Sequence, residues 1–154
     1  GAIGERKDTS GPLIAEIMKD IGGILKEYMV VPDERSEIAK ALKYMCDDAK
    51  LNVIFTTGGT GFSPRDVTPE ATLDVIDRLA PGISEAIRMK SLSITPKAML
   101  SRAVSGIRKQ TLIVNLPGSP KGVKESLEII LPALSHGIGI LMGVEGECGN
   151  QKIK

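Results

Sequence analysis

The residues best suited to chemistry lie where an apolar run, Val53-Ile54-Phe55, meets the glycine-rich stretch Thr57-Gly58-Gly59-Thr60-Gly61. A strand entering such a turn exposes backbone N–H groups, and glycine lets a phosphate approach the chain closely. The spacing matches neither a Walker loop nor the GxGxxG of dinucleotide folds, and the same glycines also suit a plain strand-to-helix connection. Arg65 and Asp66 follow directly. Thr68 has the chemistry of an N-cap, Pro69 fits the first helical position and Glu70 suits the positive helix end. Arg65 and Asp66 are therefore not needed for capping and are free to meet a ligand.

Asp33 is a second acidic candidate. It follows Val31-Pro32 and precedes a periodic helix, so it either caps that helix or serves a ligand, and both roles can coexist. If the strands before Asp33 and Asp66 are parallel neighbours, both carboxylates emerge at the carboxyl edge of the sheet, where α/β proteins bind ligands. Two carboxylates facing phosphates repel them unless a divalent cation intervenes, so a catalytic pair implies Mg2+. Ser119-Pro120-Lys121 adds a separate clue: Ser119 can cap and Pro120 can open a helix, but Lys121 then opposes the helix dipole unless an anion compensates it. Arg102 lies on a strand-like stretch and ranks above Arg108 and Lys109, which read equally well as turn residues.

Other chemistries find little support. The single histidine, His136, stands among apolar residues and reads as structural, and Cys46 and Cys148 are far apart with no CxxC, so no zinc or disulfide framework is indicated. Twenty Lys and Arg against 19 Asp and Glu give a net charge of +1, and there are only two Phe, two Tyr and no Trp. Neither a strongly basic nucleic-acid surface nor a single-strand stacking platform follows from that composition. No apolar run reaches the ~20 residues of a membrane span, so no nucleic acid and no membrane are expected as partners, and the cytoplasm is the expected location.

The elements that must position these residues alternate. A helix beginning near Pro12, capped by Ser10 or Gly11, leads to a strand over 24–31. A helix from Glu34 precedes a strand over 53–56, and further helices follow Thr68 and Pro81. Stretches 100–104 and 111–116 read as a hairpin around Gly106 to Lys109, followed by a helix carrying Val123 and Leu127 and a separate short helix from Pro132 to Leu141. The pattern predicts an α/β domain over 1–142 with a doubly wound, mostly parallel sheet, an antiparallel edge strand, and a polar tail over 143–154.

Taken together, Thr57-Gly58-Gly59-Thr60-Gly61, Pro64-Arg65-Asp66-Val67-Thr68-Pro69-Glu70, Met99-Leu100-Ser101-Arg102 and Asn115-Leu116-Pro117-Gly118-Ser119-Pro120-Lys121-Gly122 closely resemble the MogA/MoaB-like molybdopterin-binding family. The family includes molybdopterin adenylyltransferases, the plant molybdenum-cofactor G domain and the G domain of gephyrin. The resemblance runs from about Gly4 to Leu141. It implies Mg2+- and ATP-dependent adenylylation of molybdopterin with release of pyrophosphate, Asp33 and Asp66 serving as the catalytic and metal-holding carboxylates. It implies that Thr57, Gly58, Gly59, Thr60 and Gly61 shape the nucleotide or pterin-phosphate site and that Arg65, Arg102, Ser119 and Lys121 lie along the same ligand. A homotrimer and contact with the molybdate-insertion machinery are further implications. A molybdopterin-binding protein without robust transferase activity is the alternative, and a gephyrin-like scaffold ranks third because no second domain or long linker is present. The family pattern also opens with an apolar strand and a Ser-Asp turn, whereas this sequence opens at Gly1-Ala2-Ile3-Gly4, so by that resemblance the usual first strand is expected to be absent from the sequence given.

Overall fold

The computed structural model describes residues 10–143. Its helices are α1 (Ser10–Met18), α2 (Arg35–Lys43), α3 (Thr68–Val75), α4 (Pro81–Leu92) and α5 (Pro120–Leu141). Its strands are β1 (Val53–Thr57), β2 (Arg78–Leu79), β3 (Ser105–Arg108) and β4 (Thr111–Leu116). A π-helical turn, Tyr44–Asp48, continues α2, and a 3-10 turn, Pro96–Leu100, follows α4.

Strand β4 organises the core because its side chains alternate between two apolar layers. Leu112, Val114 and Leu116 pack with Val123, Leu127 and Ile130 of α5, together with Met18 and Ile87. Ile113 faces the other way, joining Ile54 with Ile38 and Leu42 of α2 and Ala71 and Val75 of α3. Ile113, Val114 and Leu116 are fully buried, each contributing about 1.5–3 kcal/mol by leaving water. The result is a three-layer sandwich, and none of its described helices is long and apolar enough to cross a membrane.

The sheet corrects the expected topology. Its order is β1-β4-β3-β2, and only β1 and β4 are parallel, whereas β4–β3 and β3–β2 are antiparallel. A mostly parallel, doubly wound sheet is therefore excluded in favour of a mixed and mainly antiparallel one. Residues 24–31 have the composition of a strand, but a strand exists only by pairing, and the described residues offer this segment no hydrogen-bonded edge. It serves instead as a covering segment, with Tyr28 against Gly11 and Glu27 accepting the Tyr44 hydroxyl at 2.9 Å. The usual first strand and the tail from 144 onward fall outside the described residues.

Two further expectations shift. The hairpin forms, but β3 begins at Ser105, because the backbone before it turns to other partners: Arg102 N–H donates to Thr60 O at 2.8 Å. Pro132 does not start a new helix; it lies inside the 22-residue α5. An internal proline costs roughly 3 kcal/mol. Pro132 is exposed, and buried Leu127, Ile130 and Leu134 hold the helix on its other face, offsetting that cost.

At the hairpin end of the sheet, Arg108 holds Asp47 of the π turn through Nε at 3.1 Å and Nη2 at 2.8 Å, and Lys109 Nζ adds a contact at 3.1 Å. These cations lower the Asp47 carboxyl from 3.8 to about 2. A depressed folded-state value means the unfolded chain takes up its proton first, so the stabilisation is complete above the ordinary value and disappears as pH falls through about 2. Denaturant midpoints measured from about pH 5 down to about pH 2 should fall less steeply in Asp47→Asn than in the wild type. Equal slopes would refute the assignment.

Candidate functional site

The site begins with the register of the parallel pair. Thr57 of β1 lies opposite Leu116 of β4, so the glycine turn and the segment from Pro117 leave the sheet side by side, outside its carboxyl edge. Gly58 N–H donates to Leu116 O at 3.0 Å, and a Cβ on Gly118 would stand 3.4 Å from Gly58 Cα. Gly58 and Gly59 have φ of 83° and 70°, the left-handed region where glycine is favoured. A side chain at Gly59 would also collide with the Thr68 hydroxyl. Thr68 is thus the first helical residue rather than the N-cap, which falls on Val67; its N–H donates to Gly59 O at 3.2 Å and ties the turn to α3.

Two polar side chains hold this edge together. Asn115 is 1% exposed; its Nδ2 donates to Thr56 Oγ1 at 2.9 Å and Thr72 Oγ1 at 3.0 Å, and its Oδ1 accepts Val104 N–H at 3.1 Å. It joins β1, α3, β4 and the approach to β3. Arg102 braces the glycine loop from behind: Nε donates to Gly61 O at 2.8 Å, Nη2 to Asp66 O at 2.6 Å and Nη1 to Glu70 Oε2 at 2.6 Å. The Arg102 guanidinium holds the Glu70 carboxyl below the usual carboxylate range, and Glu70 raises Arg102 in return. Arg102 therefore engages protein groups through all three guanidinium nitrogens.

Beside the glycine turn, α4, the Pro96–Leu100 turn and the start of α5 enclose a cleft of about 620 Å³, within the usual range of small-ligand sites. Of the residues singled out by sequence, Thr60, Gly61, Ser119 and Lys121 line it. Ser119 Oγ caps α5 by accepting Gly122 N–H at 3.0 Å, and Lys121 occupies a first turn that contains no acidic residue. Arg88 and Lys97 line the cleft too, and sequence reasoning passed over both. Arg88 was detectable, since Ser84, Ile87 and Arg88 share the i, i+3, i+4 face that α4 turns inward.

The acidic candidates stand apart from the cleft lining. Asp33 does not cap α2, whose N-cap is Glu34; its Oδ2 instead meets Arg65 Nη2 at 3.3 Å, with both side chains exposed. Asp66 Oδ2 accepts Ser63 N–H at 3.0 Å, and a side chain on Gly61 would stand 2.9 Å from that oxygen. Arg65 thus links Asp33 to the loop that carries Asp66, on the outer rim of the glycine turn. Among the described residues no group of three or more His, Cys, Asp or Glu converges as a metal cage. A pair of carboxylates is nonetheless a donor set that suits magnesium, which takes its remaining ligands from phosphate and water.

The family model described as "Probable molybdopterin binding domain" matches residues 2–136. The molybdopterin adenylyltransferase of Helicobacter pylori (strain J99) is 42% identical over 142 residues, spanning 91% of this chain and 81% of that protein. Gephyrin of Dictyostelium discoideum is 46% identical over 87% of this chain, which corresponds to 20% of gephyrin's length. The solved structure of the molybdopterin biosynthesis enzyme MoaB from Thermus thermophilus is similar with a TM-score of 0.84 and 48% identity, covering 92% of this chain and 89% of that one.

Replacing Asn115 with leucine, which is close in size, removes the acceptor of a partly buried N–H and the donor to two threonine hydroxyls. Urea unfolding of Asn115→Leu should show a loss of about 2–4 kcal/mol. A loss below about 1 kcal/mol would show that the amide does not hold the edge.

Proposed function

The chain belongs to the molybdopterin-binding domain family, among the MogA- and MoaB-like proteins of molybdenum-cofactor biosynthesis, and on that premise we propose that molybdopterin occupies the cleft beside its glycine turn. The observation that carries this reading is the cleft's mixed chemistry. Ile87, Ile94 and Leu100 provide apolar surface for a flat heterocycle, while Lys121, above the Ser119 cap, provides charge for a terminal phosphate. Cations Arg88, Lys97 and Lys121 face a single carboxylate, Glu125. A homotrimer, transfer of product to the molybdate-insertion machinery and a cytoplasmic place of work belong to the same proposal and rest on family membership alone.

Adenylyl transfer is a second reading, supported by the name of the Helicobacter pylori relative and by the two carboxylates on the rim. In that reaction the terminal phosphate of molybdopterin attacks the α-phosphorus of ATP, a new P–O bond forms and pyrophosphate leaves with the electrons of the broken bond. Magnesium, when bound, neutralises phosphate charge. The chain's own contribution is positional: Asp33 and Asp66 are the residues available to hold the ion, and the turn and the α5 N-terminus orient the phosphates. The scaffolding role of gephyrin is not carried over, because the matching region is one fifth of that protein.

Calorimetric titration with molybdopterin should show saturable binding that Lys121→Gln weakens about tenfold, roughly 1.4 kcal/mol, without a change in melting temperature. Absence of wild-type binding would overturn the reading. Adding ATP and magnesium separates the two functions. The transferase releases pyrophosphate, and Asp66→Asn lowers that rate far more than it lowers molybdopterin affinity; a bound pterin with no pyrophosphate release leaves a binding protein.

A further inference from the structure

Arg88 and Arg102 both reach this edge of the sheet, and their surroundings differ. Arg102 is tied down through Nε, Nη1 and Nη2 by Gly61, Glu70 and Asp66. Arg88 is anchored by one nitrogen, Nη1, which donates to Ala103 O at 2.9 Å and Ser101 O at 3.3 Å. Its Nε and Nη2 have no hydrogen-bond partner among the described residues, and no described carboxylate pairs with it. Yet the residue is half-buried in the wall of the cleft. A guanidinium fixed at one end, with its remaining donors unfilled beside a cavity, has the fork geometry that receives a planar or tetrahedral oxyanion through two bonds.

Lys97 supplies a second cation on the same wall. The 3-10 turn that carries it is fixed by Thr95, whose hydroxyl accepts Lys97 N–H at 3.2 Å, and the ammonium has no described partner. With Lys121 opposing Glu125, the lining as a whole carries two net positive charges. A phosphate monoester carries about −1.5 to −2 at neutral pH, so one such group neutralises the cleft.

We propose that Arg88 and Lys97 recognise the phosphate monoester of the cleft's ligand, gripping it from the α4 wall while Lys121 meets it from α5. The proposal rests on the molybdopterin reading for the identity of the ligand and on the cleft's own geometry for the grip. Arg88 is the specificity-determining residue, because its fork distinguishes a phosphate from a neutral end group. Arg102 keeps the loop in shape.

The test uses calorimetric titration with molybdopterin, with the same pterin after removal of its phosphate, and with inorganic pyrophosphate as an independent anion probe. Arg88→Gln should raise Kd for both phosphorylated probes about tenfold or more, Lys97→Gln about three- to tenfold, and neither should change affinity for the dephosphorylated pterin. Arg88→Lys, which keeps the charge but not the fork, should recover only part of the loss. Unchanged affinity of both glutamine variants for both phosphorylated probes overturns the grip while leaving the molybdopterin reading intact. Arg88-dependent pyrophosphate binding in a protein that ignores molybdopterin upholds the grip and removes the pterin. A wild type that binds neither probe removes both. Should Arg88→Gln fail to fold, Lys97→Gln decides, because the Lys97 side chain makes no described contact whose loss could unfold the protein.

Discussion

Everything at the functional edge depends on the parallel registration of β1 with β4. A strand has a period of two, so a slip of one residue would turn Leu112, Val114 and Leu116 away from α5 and carry Asn115 into the apolar layer they now fill. The same slip would separate the Asn115 amide from Thr56 and Thr72. Burial and hydrogen bonding therefore enforce one alignment, and that alignment puts Gly58 beside Gly118. The cleft inherits its shape from the core rather than from its own loops.

Local order was legible wherever a short stretch determines its own conformation. The hairpin, the helical stripes of α2 and α4, the glycine turn and the Ser119 cap all follow from spacing and residue type. What failed was whatever required knowledge of a partner. Residues 24–31 have good strand propensity, but among the described residues no neighbouring edge bonds to them, so a correct reading of composition produced an incorrect sheet. Pro132 looked like a boundary because proline propensity is local, whereas the burial that carries α5 through it is tertiary. The site divides in the same way: Thr60, Gly61, Ser119 and Lys121 were visible in motifs, while Arg88 and Lys97 reach the cleft only through the packing of α4 and the turn after it.

The chain is nearly neutral, so the positive character of the cleft is an arrangement rather than a composition. Among the described residues, four arginines elsewhere are matched by acids: Arg35 with Asp74, Arg65 with Asp33, Arg102 with Glu70 and Arg108 with Asp47. The exposed pairs, Arg35 with Asp74 and Arg65 with Asp33, contribute little to stability. Their larger effect here is on the field, since pairing cancels charge over much of the surface and leaves the cleft cations uncancelled.

The bracing of the glycine loop by Arg102 has a consequence for selectivity. Because one side chain grips the carbonyls of both Gly61 and Asp66, the rim is stiff before any guest arrives, and little ordering entropy is lost on occupation. A stiff rim also cannot widen. Guests are therefore sorted by whether they fit a preformed mould, with no repulsive charge required.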